Sequence, residues 1–220
     1  MKNIFWLLIL NICFFSNTVM NSQEIIELKN PSFEDMPRRG GTFSAPIKSW
    51  LDCGASLFPG ESPPDIHPVP GGAWEVFMPP AHGKTYLGLV VRFNDTYESI
   101  SQRLDEPLSK GKCYSFSAFL AMSPQYMSAT SRSRTVLENF TRPAVFRVWG
   151  GNSPCDKEQL LAESTPVENE VWQQHDLAFQ VNDSYSHIVL EAFYDIPILE
   201  AYNGHVLVDG LSSIVEMECK

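Results

Sequence analysis

Apolar and polar residues alternate along most of this chain, and the clearest example is residues 113–122. The apolar side chains at every second position would point one way, while Cys113, Ser115 and Ser117 would point the other. A period of two residues is typical of a β-strand with one face in a core. Segment 85–91 is almost entirely apolar, which predicts a strand covered on both faces.

Further segments with strand patterns follow, separated by turn-forming residues such as those at 109–111 and 182–184. Segments 35–82 and 123–143 are rich in Pro, Gly, Ser or Arg without a clear period, which predicts long ordered loops. About nine strands with short connections favour an all-β, two-sheet antiparallel jelly-roll sandwich over a barrel or a propeller. The predicted strands are 30–34 (the first), 85–91, 98–104, 113–122, 144–149, 159–163, 171–181, 187–194 and 206–216 (the closing one).

An export signal is predicted for residues 1–22. Lys2 supplies a positive charge ahead of an apolar stretch that is too short to span a bilayer. Cys13 leaves a lipid anchor open, although Ile12 stands where a lipoprotein signal has a small residue. Ordinary cleavage is favoured, so the mature chain is expected in the periplasm, at the cell surface or outside the cell, without a transmembrane segment.

The remaining chain, 23–220, contains no linker and no repeat, which predicts a single jelly-roll domain. Its four cysteines predict two disulfides in an exported protein, with three possible connectivities. The favoured pairing joins Cys113 to Cys155 and Cys53 to Cys219. The first bond would tie the start of a strand to the loop after a neighbouring strand, and the second would tie the C-terminus to the N-terminal third.

Several segments of the sequence resemble segments of known proteins. Four of them recur in the same order in galactose-binding-like jelly rolls, which include carbohydrate-binding modules of the xylanase-associated kind. The chain is also similar to uncharacterised exported proteins of Bacteroidetes, whose longer relatives carry a peptidoglycan-anchoring OmpA-like domain or gliding-motility modules. The resemblance implies a jelly roll that binds glycan or peptidoglycan, or that joins an envelope protein complex. The four recurring segments are 30–34, 83–88, 99–104 and 107–117.

The same resemblance implies a structural calcium ion where the first and last strands meet. Glu34 and Asp209 occupy the matching positions, with Asn30 as a third candidate. Ca²⁺ takes about six to eight oxygen ligands, and carboxylates at two strand ends can contribute to such a set. The alternative is that Glu34 ends a strand in water and Asp209 caps the turn at Gly210.

Sugar binding requires an aromatic ring for the apolar face of a pyranose and planar polar side chains for its hydroxyls. Arg147 would share one strand face with Trp149, which places a hydrogen-bond donor beside a stacking surface. The alternative is ordinary packing, with Trp149 under the 123–143 excursion and Arg147 against acidic neighbours. The predicted ligand-binding residues are Trp149, Arg147, Tyr97, Asn94, Arg92 and Trp74.

The sequence offers little support for a second metal site, for catalysis, or for binding to nucleic acid or membranes. Asp65 and His67 would point the same way as a metal pair, but no third ligand is near in sequence, so a Pro-locked surface loop is predicted at 64–68. No nucleophile elbow, zinc-protease helix or phosphate loop occurs, and no catalytic activity is expected. The formal net charge of −10 at pH 7 disfavours nucleic acid and anionic membranes as partners.

The sequence therefore predicts a non-catalytic carbohydrate-binding module, for polysaccharide or peptidoglycan, within an exported cell-envelope protein. The rival hypothesis is a structural subunit that docks on an outer-membrane or gliding-motility assembly and binds no glycan.

Overall fold

A computed structural model of the chain describes residues 23–40, 47–58, 60–61, 63–195 and 200–219. The predicted export signal, including Cys13, lies outside the described residues and stays a prediction. Within the described ranges, no helix is long and apolar enough to cross a membrane.

Fifteen strands and one short 3₁₀ turn, Ala73–Glu75, form the regular structure of the described residues. The predicted strands between residues 85 and 194 are all present, with modest shifts at their ends. The strands are β1 (Ile25–Ile26), β2 (Leu51–Asp52), β3 (Asp65–His67), β4 (Tyr86–Arg92), β5 (Thr96–Tyr97), β6 (Ser99–Leu108), β7 (Cys113–Ala121), β8 (Met127–Ala129), β9 (Leu137–Asn139), β10 (Arg142–Gly151), β11 (Gln159–Glu163), β12 (Gln173–Gln180), β13 (Tyr185–Tyr194), β14 (Gly204–Asp209) and β15 (Ile214–Met217).

The long strands form two sheets that pack face to face. Sheet I has the order β3–β4–β14–β7–β12. The short strand β5 pairs with the end of β4 that follows the part paired with β3. Strand β15 pairs with the first part of β7, and β1 pairs with β15. Sheet II has the order β11–β10–β13–β6–β2. All of these pairs are antiparallel. The sheets meet at one corner, where β10 and β14 pair in parallel at Arg142 and Pro143. The predicted jelly-roll sandwich is confirmed.

The core between the sheets is filled by every second residue of the long strands. In β7, Tyr114, Phe116, Ala118 and Leu120 all belong to this core and are at most 4% exposed. Burying a large apolar side chain contributes about 1.5–3 kcal/mol relative to leaving it in water. The alternation predicted for residues 113–122 is therefore the pattern that places one face of β7 in the core.

Strand β4 is buried on both faces, as its apolar run predicts. One face lies in the main core, and the other belongs to a second apolar cluster on the outer face of sheet I. Residues 68–82 and 123–141, which lie within the predicted loops 35–82 and 123–143, supply the covering side chains. The second segment carries the β8–β9 ribbon. The second cluster consists of Val76, Tyr86, Val90, Ala121, Tyr126, Phe140 and Leu207.

The predicted first strand at 30–34 is wrong, because these residues form a tight turn. Asn30 and Phe33 have positive φ values of 51° and 52°, and the Phe33 amide donates to the Asn30 carbonyl at 3.2 Å. The Asn30 side chain also accepts from the Glu34 amide at 2.8 Å. Asparagine tolerates a left-handed backbone because its short polar side chain bonds locally.

The closing segment 206–216 is two strands, β14 and β15, rather than one. Gly210 separates them with a φ of 52°, a conformation that glycine adopts at little cost. A β-carbon at this position would lie 3.1 Å from the ring of Phe119, so the close approach also favours glycine.

Two disulfides form, as predicted, but the favoured pairing is wrong. The bonds join Cys53 to Cys155 and Cys113 to Cys219, with Cα–Cα distances of 5.5 and 5.2 Å. Cys113 lies opposite Met217 in the β7–β15 pair, so Cys219 is within reach two residues later. Cys53 extends β2 at the edge of sheet II, where the β10–β11 loop can reach it.

Candidate functional site

The outer face of sheet II brings together three of the predicted ligand-binding residues. Arg147 and Trp149 point outward from β10, and the neighbouring positions Phe146 and Val148 are buried in the core, as predicted. Tyr97 approaches the same face from β5 and contacts Phe193 of β13 edge-on, with ring centroids 5.0 Å apart. We call the set Tyr97, Arg147, Trp149, Lys157, Glu191 and Phe193 the aromatic patch.

The side chains of the aromatic patch hold one another in place. The indole Nε1 of Trp149 donates to Glu191 Oε2 at 2.7 Å, and the ammonium of Lys157 binds the other oxygen of that carboxylate. The Lys157 Nζ also lies 5.0 Å from the centre of the Tyr97 ring. The Arg147 guanidinium pairs with Glu163 and stacks 3.8 Å over the Phe193 ring. Such mutual contacts reduce the freedom of long charged side chains before a ligand arrives.

Charge and exposure in the aromatic patch suit recognition of a polar ligand. Burial, reinforced by the negative charge of Glu191, raises the pKa of Tyr97, so its phenol keeps its proton and can donate a hydrogen bond. Glu191 is only 1% exposed and is compensated by Lys157. The rings of Trp149, Tyr97 and Phe193 stay half-buried. The patch therefore presents apolar rings beside oriented donors.

One wall beside the patch is a loop that crosses sheet II. We call residues 152–158, between β10 and β11, the bridge loop. Cys155 in this loop is bonded to Cys53, whose amide donates to the Ser99 carbonyl at 3.0 Å beyond the end of β2. Because β13 and β6 lie between β10 and β2, the loop must pass over both strands. Val189, which shares the outer face and is 0% exposed, is consistent with this cover.

The other predicted ligand-binding residues do not join the aromatic patch. Arg92 and Trp74 lie on the outer face of sheet I, under or within its covering segments. Asn94 lies in the turn between β4 and β5, where it accepts a hydrogen bond from the Thr96 hydroxyl at 2.8 Å. The alternative that Trp149 packs under the 123–143 excursion is wrong, since that excursion covers the opposite sheet.

Sheet I carries a polar cluster beneath its cover. The predicted surface loop at 64–68 is wrong, because Asp65 and His67 lie on the buried strand β3. Asp65 accepts hydrogen bonds from the Tyr126 hydroxyl and from the Trp74 indole, the latter at 3.0 Å. Tyr126 in turn lies against His205, with ring centroids 4.5 Å apart.

Burial controls the ionisation of this cluster. It lowers the pKa of His205 to about 4 and also lowers the pKa of His67, so both imidazoles are neutral at pH 7. Burial raises the pKa of Glu98, against the opposing charge of Arg92, with which it pairs. Neither ring nitrogen of His67 has a hydrogen-bond partner among the described residues. With both histidines 0% exposed, the cluster is closed to a polymeric ligand.

The proposed calcium ligands hold a loop through backbone hydrogen bonds. Glu34 accepts from the Lys84 amide at 2.6 Å, and Asp209 accepts from the amides of His82 and Gly210 at 2.8 and 2.7 Å. These N–H groups already point at both carboxylates, which is unfavourable for a cation. In the described part of the chain, no group of three or more His, Cys, Asp or Glu residues is placed to hold a metal ion. The calcium site stays a prediction.

Asn30, the third proposed calcium ligand, has a structural role in its turn. Its amide nitrogen donates to the Lys48 carbonyl at 2.9 Å, and its amide oxygen accepts from Glu34, so it fixes the local turn. For Asp209, another proposed calcium ligand, burial raises the pKa to about 6.

Three residues of the aromatic patch are missing from the predicted set. Glu191 and Phe193 alternate with core residues in the predicted strand 187–194, so the period of two already placed them on the outer face. Their register opposite Arg147 and Val145 depends on the pairing of β13 with β10, which the sequence does not reveal. Lys157 reaches the patch from the bridge loop, which the Cys53–Cys155 bond holds across the sheet.

No protein-family model and no curated protein matches the chain. Among solved structures, the Stig cyclase Fisc from Fischerella sp. TAU is 12% identical with a TM-score of 0.55, over 90% of this chain and 100% of that one. The CBM22-1 xylan-binding domain from Paenibacillus barcinonensis Xyn10C is 15% identical with a TM-score of 0.47, over 86% and 93%.

A third similar structure is the K1 adhesin domain of Lys-gingipain from Porphyromonas gingivalis W83, at 12% identity and a TM-score of 0.44, over 86% of this chain and 96% of that one. Carbohydrate-binding modules are thus among the structural neighbours. The likeness to the cyclase shows a shared fold and bears on neither activity nor ligand.

The closed cluster of sheet I generates a stability prediction. Replacing Tyr126 with Phe removes a hydroxyl donor from the buried Asp65 carboxylate and is expected to lower the free energy of unfolding by about 1.5–3 kcal/mol. Tyr86→Phe is the matched control, because its hydroxyl donates at 2.8 Å to the neutral carbonyl of Met78. The control should cost about 0.5–1.5 kcal/mol in the same urea titration. Equal losses would contradict a stabilising charge-assisted bond at Asp65.

Proposed function

We propose that this chain is a non-catalytic carbohydrate-binding module whose ligand lies on the aromatic patch of sheet II. The observation that carries the proposal is the arrangement of Trp149, Tyr97 and Phe193, three half-buried rings interleaved with fixed charged groups on one sheet face. The apolar face of a sugar ring stacks on such rings, and its hydroxyls pair with planar or charged side chains. Arg147 and Lys157 are the donors closest to the rings.

The rigidity of the patch supports binding. Because Glu191 is held by both Trp149 and Lys157, and Arg147 by Glu163, little side-chain entropy remains to be lost when a ligand docks. The same pairing suits a binding site more than a glycosidase. A glycosidase uses a carboxyl as proton donor, whereas both carboxylates of this surface are engaged by cations.

The two disulfides support the proposed compartment. Two disulfides persist in oxidising environments such as the periplasm or the cell exterior. We place the chain in an exported cell-envelope protein, where polysaccharide and peptidoglycan are the available glycans. A single site of this kind binds weakly, so a second copy or a partner protein would supply avidity.

A second candidate function is docking on an envelope assembly, such as an outer-membrane or gliding-motility complex, without a glycan. The observation in its favour is a set of exposed apolar side chains on the segments around the cover of sheet I. Met36, Phe77 and Val136 are 75%, 69% and 64% exposed. Apolar side chains exposed to this degree are common at contact surfaces between proteins, although single ones need no partner.

Alanine substitution in the patch tests the glycan proposal. Trp149→Ala and Tyr97→Ala are each expected to weaken binding to a glycan array and to peptidoglycan sacculi by roughly tenfold or more, because each removes a stacking ring. Phe77→Ala is the control, since this exposed aromatic lies on the other sheet's cover and should leave affinity unchanged. The arrays are run with calcium and with a chelator, which also tests the calcium site. A folded wild-type protein that binds no glycan would refute the proposal and favour docking.

The two disulfides generate a matched pair of variants. Their sequence separations are 102 and 106 residues, so removing either bond should lower the free energy of unfolding by a similar amount, about 3–5 kcal/mol. Only the Cys53→Ser/Cys155→Ser variant should lose glycan affinity, because only that bond holds Lys157 in the patch. Equal affinity in both folded double variants, measured below their unfolding temperatures, would show that the bridge loop is not part of the site.

A further inference from the structure

A concave surface lies at the edge of sheet II, beside the bridge loop. It is a cleft of about 410 Å³ at the edge formed by β2, β6 and β13. Its floor includes the buried ring of Trp50, and its walls include Leu51, which is 51% exposed, and Pro154 of the bridge loop. Arg103 and His187 are the titratable residues of the lining, which also includes the polar residues Ser49, Ser101 and Gln102. We call this surface the edge cleft.

The edge cleft and the aromatic patch lie close together on sheet II, with the bridge loop beside both. Arg103 lies opposite His187, and Trp149 lies opposite Val189, two residues further along β13. With a strand spacing of about 4.8 Å and a rise of about 3.3 Å per residue, the backbones at Arg103 and Trp149 are about 12 Å apart. A polymer that lies on the patch can therefore reach the cleft within a few sugar units.

Arg103 is unusual among the arginines of this protein. Within the described ranges it forms no ion pair, no hydrogen bond and no stacking contact, and its side chain is exposed. Every other arginine pairs with a carboxylate or lies over an aromatic ring. An unpaired guanidinium in a concave site is notable in a chain with a formal net charge of −10.

The remaining titratable groups at the cleft leave Arg103 as its source of positive charge. Burial, followed by the charge of Arg103, lowers the pKa of His187, against the opposing effect of Asp156, so the imidazole is neutral at pH 7. His187 is oriented by a contact of 3.0 Å between its Nδ1 and the Ser186 hydroxyl. The cleft thus combines apolar walls, a neutral imidazole and one free guanidinium.

We propose that the edge cleft binds a carboxylate-bearing sugar unit, so that the ligand of this module is an acidic polysaccharide. This inference rests on the proposed glycan-binding function of the neighbouring aromatic patch and names its ligand class. The Arg103 guanidinium presents a planar fork of donors that matches a carboxylate in two parallel hydrogen bonds. Leu51 and Pro154 supply apolar contact for the ring that carries the carboxylate. Neutral sugar units of the same chain stack on Trp149 and Tyr97.

The test uses acidic polysaccharides and their neutral counterparts. Polygalacturonate, glucuronoxylan and alginate are each compared with the same polymer after chemical reduction of its carboxyl groups, so that only the charge-bearing group changes. Affinity is measured by titration calorimetry or affinity electrophoresis at fixed salt. Wild-type protein is expected to bind at least one acidic polymer roughly tenfold more tightly than its reduced form, the size of one charge-assisted contact.

Two variants separate the cleft from the patch. Arg103→Gln should abolish the preference for the acidic form and keep the affinity for the reduced form, whereas Trp149→Ala should weaken both. Arg39→Gln is the control for loss of one positive charge, because Arg39 stacks over Trp74 on the cover of sheet I, and it should keep the preference.

The failures of the two proposals are distinguishable. Wild-type protein that binds reduced or neutral glycans as tightly as acidic ones, or a preference that survives Arg103→Gln, overturns the inference about the cleft and leaves glycan binding intact. A folded wild-type protein that binds neither form of any polymer overturns the function of the patch and the inference with it.

Discussion

The bond between Cys53 and Cys155 carries the bridge loop across the outer face of sheet II. Without that crossing, β13 and β6 would expose an unbroken face to solvent between β10 and the edge strand β2. With it, Val189 is buried, Lys157 reaches Glu191 and Tyr97, and Pro154 becomes a wall of the edge cleft. The aromatic patch and the edge cleft thereby both have the bridge loop at their border. The position of this single cross-link is the constraint on which the proposed site depends.

The outer faces of the two sheets differ in how far they are covered. A sheet must bury its apolar face, whereas its other face can be either covered or exposed. Sheet I is covered by long segments, and the polar groups beneath them, such as Asp65 and His205, are neutral or bonded internally. Sheet II keeps the rings of the aromatic patch half-buried, pairs the charges of Arg147, Lys157 and Glu191, and leaves Arg103 unpaired. The second arrangement keeps rings and oriented charged groups within reach of a polymer, which is why we propose that the ligand lies there.

The period of two was sufficient to predict most of the fold. It gave the long strands between residues 85 and 216 and placed Arg147 and Trp149 on one face, because alternation is a local property of the strand. It failed at 30–34, where the side chain of Asn30 bonds its own turn. It also failed at Gly210, which a hydrophobic pattern does not register as a break.

Properties that depend on which distant strands pair could not be predicted from the sequence. The disulfide partners follow from β15 lying beside β7 and from Cys53 extending β2, and neither pairing leaves a local trace. The split of the six predicted ligand-binding residues has the same origin. Arg92 and Tyr97 are close in sequence, yet Arg92 belongs to sheet I and Tyr97 contacts sheet II. Nearness in sequence was therefore a poor guide to a shared site.

The most direct test of the central claim is a nuclear magnetic resonance titration of residues 23–220 with the glycan that binds best. The described chain contains four indole N–H groups, on Trp50, Trp74, Trp149 and Trp172, and each gives its own signal. We expect the Trp149 signal to move with glycan concentration, because its indole is bonded to Glu191 within the patch. The signals of Trp74 and Trp172, at the cover of sheet I, should stay in place. Movement of those two without Trp149 would contradict the assignment of the site to sheet II.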